Sequence, residues 1–230
     1  MTKIAKYYIG WDVGAWNCDK NRSSRDAIVI IKPDGTFVYG KRNNVREWLN
    51  TAKTTKEIVI MFFYHCDLEY NNEEVIIAID TPLGFSEAFV NLVNNNIISE
   101  PISDFSSNPY LFRKTEQFLY TKGFQPLSAV NHMIGAQATK GIHFISKFAP
   151  NNESLGVWNS EDEKLTVIET YPSANKRIEI PASLQTVHQD IQDAFICAAI
   201  AKRFGNDRNL FHLPLKEINE KEGWIWVLSD

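Results

Sequence analysis

Four carboxylates in this chain stand where long apolar runs stop or start. Asp12 follows YYIGW, Asp80 follows VIIAI, Glu169 follows LTVI, and Asp193 immediately precedes AFICAAIA. An acid at the end of a strand has two readings. It caps the next turn, as Asp commonly does, or it serves chemistry at a strand tip, where open α/β sheets bind their ligands. Carboxylates that share one site repel each other unless cations lie between them, and paired Mg²⁺ or Mn²⁺ ions require such an oxygen-rich site. Two metals of this kind activate water and stabilise the leaving oxygen in phosphodiester cleavage. Asp190 lies three residues before Asp193, on the same face of a helix, and is a reserve metal ligand.

The elements that must bring these acids together can be read from periodicity and turn residues. Tyr7 to Val13 reads as a first strand, Ala27 to Ile31 as a second, and Thr36 to Tyr39 as a third, joined to the second through Pro33-Asp34-Gly35. Helices are expected over Asn44 to Ala52 and Glu57 to Tyr64. Val75 to Ile79, rich in Val and Ile, reads as a strand buried on both faces. Helical periodicity dominates from Ser86 to about residue 150, clearest over Asn108 to Lys122. Leu165 to Ile168 is the last expected strand. A final helix within Ala182 to Phe204 is expected to stop at Gly205, with Ile191, Ala194, Phe195, Ala198 and Ala199 at the spacing of one buried face. A carboxylate at Asp193 is expensive there without a partner or a metal. If the strands are parallel neighbours, Asp12, Asp80 and Glu169 share one sheet edge and the helix carries Asp193 to them.

Composition bounds the answer. With 230 residues, 44% hydrophobic and 12% aromatic, the chain has material for one large core, and no stretch looks like a linker, so a single domain over 1–230 is expected. The amino terminus turns polar too early for a signal peptide, and the longest aliphatic-aromatic run, Ile58 to Tyr64, is too short to span a bilayer. A cytoplasmic protein with no membrane contact is the expectation. Cys18, Cys66 and Cys197 are odd in number and lack CxxC spacing, which suits buried free thiols. The net charge of −4 argues against a protein that merely coats nucleic acid. It leaves room for a metal-dependent nuclease, because bound Mg²⁺ reverses the sign of an acidic site.

The order of these features resembles the ribonuclease H-like fold: an α/β mixed sheet flanked by helices, here with a helical insertion at about 86–150. More closely, the chain resembles a family of largely uncharacterised, predicted RNase H-like nucleases. The resemblance rests on Gly10-Trp11-Asp12, on AIDTPLGF, on NPYLFRKTEQFLYTKGFQPLSAV, on ETYPS, on DIQDAFICAAIAKRF and on EGWI, and it covers nearly the whole chain. It implies a nuclease acting on DNA or RNA, with Asp12, Asp80, Glu169 and Asp193 holding Mg²⁺ or Mn²⁺. The chain departs from the family pattern in a longer polar stretch from Ala15 to Arg25 and in Ser173, where an acid often follows the proline.

Other residues carry both a plain and a functional reading. Arg113 and Glu116 have the spacing of a surface ion pair, although the resemblance makes Arg113 a candidate phosphate contact. Lys140, His143 and Lys147 recur at helical spacing, as a solvated face or, through Lys140, a contact to nucleic acid. His188 starts a helix and is either a general base, a metal neighbour or a residue with no chemical role. Trp224 and Trp226 read as core or edge packing. Two rival functions remain. IGWDVGAWN and IDTPLG resemble phosphate loops of the actin-like and sugar-kinase superfamily, whose members phosphorylate substrates with ATP, but the chain lacks their second domain and Gly-rich adenosine loop. A binding module that keeps the fold without chemistry is the third reading.

Overall fold

The computed structural model describes residues 6–20, 24–102, 104–175, 177–215 and 218–229. Residues 1–5 and 21–23, which belong to the amino-terminal reading and to the polar Ala15 to Arg25 stretch, lie outside these. Among the described residues eight strands form one mixed sheet: β1 (Lys6–Asp12), β2 (Ala27–Ile31), β3 (Phe37–Tyr39), β4 (Glu74–Asp80), β5 (Asn151–Ser154), β6 (Val157–Asn159), β7 (Leu165–Thr170) and β8 (Ile225–Trp226). Their order is β3-β2-β1-β4-β7-β6-β5, with β8 attached to β7. The central β1, β4 and β7 run parallel, and β2, β3, β6 and β5 pair antiparallel on the two sides. Parallel neighbours point their carboxyl ends the same way, which places the acids of these three strands on one edge.

Among the described residues six α-helices accompany the sheet: α1 (Arg46–Thr51), α2 (Thr55–His65), α3 (Glu87–Asn95), α4 (Lys114–Thr121), α5 (Gly135–Phe148) and α6 (Gln189–Asn206). The alternation of β1 divides the core. Ile9 and Trp11 face the layer of α2 and α5, where Phe62, Phe63, Phe144 and Phe148 are fully buried, while Tyr8 faces the layer of α6. Each such ring taken from water contributes about 2 kcal/mol. Among the described residues no helix is long and apolar enough to cross a membrane.

Gly10 explains why α6 lies so close. A Cβ at this position would sit 1.8 Å from the Ala194 carbonyl oxygen and 2.4 Å from the Ala198 nitrogen, so helix and strand backbones meet directly. Ala194, Ala198 and Ala201 keep that helix face thin and are all buried.

The elements differ from the sequence expectation in four places. The helix expected over Asn108 to Lys122 is only Lys114–Thr121, since Asn108 to Phe112 turns back on itself through bonds of the Leu111 and Phe112 amides to the Asn108 carbonyl. Gly205 does not terminate α6; the helix runs to Asn206. The hairpin β5–β6 went unread because all four residues of β5 are exposed and polar, leaving no alternation to see. The two-residue β8 is too short for any periodic signal, although Trp224 and Trp226 are buried as expected. Cys18, Cys66 and Cys197 are buried free thiols.

Candidate functional site

Asp12 and Asp80 are register partners at the carboxyl ends of β1 and β4. Adjacent parallel strands hold these residues side by side, and neither carboxylate receives a hydrogen bond from a described residue. Burial, followed by the charge of Asp80 and those of Asp190, Asp193 and Asp26, raises the Asp12 pKa well above its ordinary value. Asp80 is pushed up to about 8 by burial, then by Asp193 and Glu169. Two half-buried acids thus lie side by side with no cation or hydrogen-bond donor against either among the described residues, and their crowding disfavours the charged forms.

The contact of α6 with Gly10 brings Asp193 to the same edge. Its carboxylate accepts a 3.0 Å bond from Gln189 Nε2, and its pKa is raised, chiefly by burial. Asp190, the reserve ligand, has a partner already: its carboxylate pairs with Arg42. His188 is the N-cap of α6, its Nδ1 accepting from the Asp190 amide at 3.2 Å. That capping bond gives His188 a structural role at the start of α6.

Glu169 reaches the edge from β7, but it arrives paired with Arg113. Arg113 Nη2 donates to Oε1 at 2.5 Å, and Arg113 Nη1 and the Leu83 amide both donate to Oε2 at 2.8 Å. Arg113 also bonds Glu116 Oε1 through Nε at 2.9 Å and the Glu222 carbonyl at 2.9 Å. All of these side chains are buried, so Arg113 and Glu116 are an internal pair, not the expected surface pair. Burial works against the Arg113 charge, yet Glu116 and Glu169 outweigh it and raise its pKa above the ordinary value. The carboxylates of Glu116 and Glu222 also cap two helices from the inside: Glu116 Oε2 accepts the Arg113 amide, and Glu222 accepts the amides of Glu87 and Lys114. A guanidinium committed to two carboxylates and a carbonyl is a poor phosphate contact, and Glu169 acts here as the anchor of the Thr81–Leu83 turn after β4.

Lys140 is corrected more sharply. It is fully buried on α5, with Nζ 2.5 Å from Asp26 Oδ2 and 3.1 Å from the Gly14 carbonyl oxygen. The solvated stripe expected at Lys140, His143 and Lys147 is therefore wrong at its first member, and Lys140 has no path to nucleic acid. Asp26, overlooked in the sequence, is the hub: it accepts from Trp11 Nε1, from the Gly14 amide and from the Val45 amide, each at 2.9 Å. These bonds clamp the chain on either side of Asp12. Only a polar residue opening an aliphatic strand, Arg25-Asp26-Ala27, hinted at it.

Asp12, Asp80 and Glu169 line a cavity of about 310 Å³, with Thr81, Gln137, Tyr171 and Ser173 around it. The Thr81 Oγ1 is buried without a hydrogen-bond partner. Among the described residues no group of three or more His, Cys, Asp or Glu side chains is gathered as a metal centre. The donor set nevertheless suits a hard divalent cation, because two adjacent carboxylates with raised pKa values and no donors gain most from one. No family model matches the chain, and no curated protein or solved structure matches it.

Proposed function

We propose that this protein is a metal-dependent phosphodiesterase acting on nucleic acid, built on a ribonuclease H-like arrangement of its sheet. The observation that carries the reading is the Asp12–Asp80 register pair, two uncompensated carboxylates on neighbouring parallel strands facing a cavity. Support for the fold comes from the order β3-β2-β1-β4-β7, with acids at the tips of its three parallel members and α6 packed against β1. Asp12 and Asp80 would hold Mg²⁺ or Mn²⁺, with Asp193 approaching from α6. When bound, such an ion supplies Lewis acidity and an activated water for in-line attack at phosphorus.

The remaining residues position the pair. Arg113 holds Glu169 and, through it, the Leu83 amide, so the backbone leaving Asp80 is tied down. Lys140 and Asp26 do the same for the backbone leaving Asp12. Substrate phosphates must then be met by groups other than Arg113 and Lys140, whose charges are spent internally.

Incubation of the purified protein with end-labelled single- and double-stranded oligonucleotides tests this. Cleavage that requires Mn²⁺ or Mg²⁺, proceeds without ATP and disappears in D12N and D80N is the expected result. Mg²⁺-dependent ATP binding with no cleavage of any oligonucleotide would favour phosphotransfer. Neither activity, with the apo fold intact, would leave the binding module.

A further inference from the structure

A second pocket, of about 600 Å³, opens on the face of α6 away from the acids, between that helix, the β2–β3 hairpin and the segment around residue 178. Its size falls within the range of small-molecule sites. Lys202 lies nine residues after Asp193, about 14 Å further along the helix axis. The pocket belongs to the opposite end of β2 from the residue paired with Asp12, because Ile31 lines it while Ala27 is the partner of Asp12. It shares no lining residue with the acidic cavity.

Its chemistry is divided. The floor is apolar and aromatic: Ile31 and Phe195 are nearly buried, and the rings of Phe37 and Phe195 meet edge to face with centroids 5.1 Å apart. The rim is cationic. Lys202, Arg203 and Arg177 line it against a single carboxylate, Glu179. Lys202 and Arg203 are half-buried, and neither has an ion-pair partner among the described residues. In a chain of net charge −4, an unpaired pair of cations over an aromatic floor is a local reversal of sign. The Lys202 ammonium also sits against the hairpin turn, where a Cβ on Gly35 would lie 3.3 Å from Nζ. Gly35 has φ of 87°, so the turn itself favours the residue that leaves this room.

We infer that this pocket binds a nucleotide, with the base against Phe37 and Phe195 and the phosphate on Lys202 and Arg203. An anion with no flat apolar part would leave the floor wet, and an uncharged ring would leave two cations unmatched. Aromatic floors accept any base through its π-face, and basic side chains take the phosphate. Glu179 is left as an acceptor for a ribose hydroxyl or a base amino group. The same chemistry is offered by a free mononucleotide and by one nucleotide of a strand. The proposal does not rest on the nuclease reading, since it uses none of the acids.

Calorimetric titration of the full chain, in EDTA so that the acidic cavity takes no metal, separates the possibilities. The probes are adenosine monophosphate, adenosine, inorganic phosphate, hexyl phosphate and an eight-residue oligothymidylate. Saturable binding of the monophosphate is expected, with adenosine, inorganic phosphate and hexyl phosphate each weaker by about tenfold or more. The K202A/R203A variant should weaken the monophosphate by about tenfold or more, and F37L, which keeps apolar volume but removes the ring, by about fivefold or more. D12N/D80N should bind as the parent does. An oligothymidylate that binds tighter than the monophosphate and loses affinity in K202A/R203A identifies a strand as the source; the reverse order identifies the free nucleotide. No binding of either at millimolar concentration overturns the proposal. So does monophosphate binding that K202A/R203A leaves unchanged while its melting curve matches the parent, or hexyl phosphate binding as tightly as the nucleotide.

Discussion

Lys140 Nζ and Asp26 Oδ2 lie 2.5 Å apart with both side chains out of contact with water. Removing one partner of such a pair strands the other charge in the interior. K140M should therefore cost about 3–5 kcal/mol of stability. The double variant D26N/K140M should recover part of that loss, because no net charge is then left buried. Denaturant melts of the three proteins measure it, and a K140M cost below about 1 kcal/mol would mean that water reaches the pair.

Two acids of the same edge should respond oppositely to loss of charge. Asp80 is crowded by other acids, so D80N should leave the metal-free fold more stable by about 1 kcal/mol while abolishing cleavage. Glu169 is one of two counter-charges of Arg113 and accepts three hydrogen bonds, so E169Q should destabilise by about 1–3 kcal/mol. Melting temperatures and cleavage rates from the same preparations check both; a destabilised D80N would show that Asp80 holds the fold together instead.

The pH dependence follows from the same crowding. Asp80 titrates at about 8 in the metal-free fold against an ordinary value of 3.8. Between those values the native state binds more protons than the unfolded chain, so unfolding free energy falls as pH rises. Asp12 and Asp193, also raised, add in the same direction. The stability contribution is full below the ordinary carboxylate pKa and is lost by about pH 8. Melting temperatures taken in EDTA from pH 5 to pH 8.5 should decline for the parent protein and decline less for D80N. Parallel curves would count against charge crowding at Asp80.

Mn²⁺ should reverse that slope, because the cation binds the ionised carboxylates and only the folded state gathers them. At a free concentration one hundred times the dissociation constant, the added stability is about 2.7 kcal/mol. D12N and D80N should each lose most of it, and K202A/R203A none. Thermal melts with and without millimolar Mn²⁺ decide; identical melts for the parent would remove the metal from the proposed mechanism.

The difference between what could and could not be read in the sequence lies in the range of the contacts. Asp12 and Asp80 were legible because an acid closing a Val- and Ile-rich run is a local anomaly, and α6 because five residues keep one helical face. The order of the elements followed from that alternation of strands and helices. The buried state of Lys140 was hidden, since its partner Asp26 is 114 positions away and its helical spacing matched a solvated stripe. Arg113 and Glu116 showed the right spacing but not their burial, which depends on Glu169 and Glu222 arriving from β7 and from the carboxyl-terminal segment. Pairing in sequence is a local property; neutralisation is a property of the finished fold.

The way β8 joins the sheet has a consequence for the acidic cavity. β6 pairs with β7 only as far as Ile168, and the backbone of Glu169 and Thr170 finds its partner on that side in Ile225 and Trp226. Thr170 Oγ1 also donates to the Trp226 carbonyl. Without β8, β1, β4 and α6 still bring Asp12, Asp80 and Asp193 together, while the strand tip bearing Glu169 has an open edge. The strand tip that anchors the Asp80 turn thus gains its second backbone partner from β8, and Ile225 of that strand also lines the acidic cavity, so a segment that follows α6 in the chain completes the wall of the site.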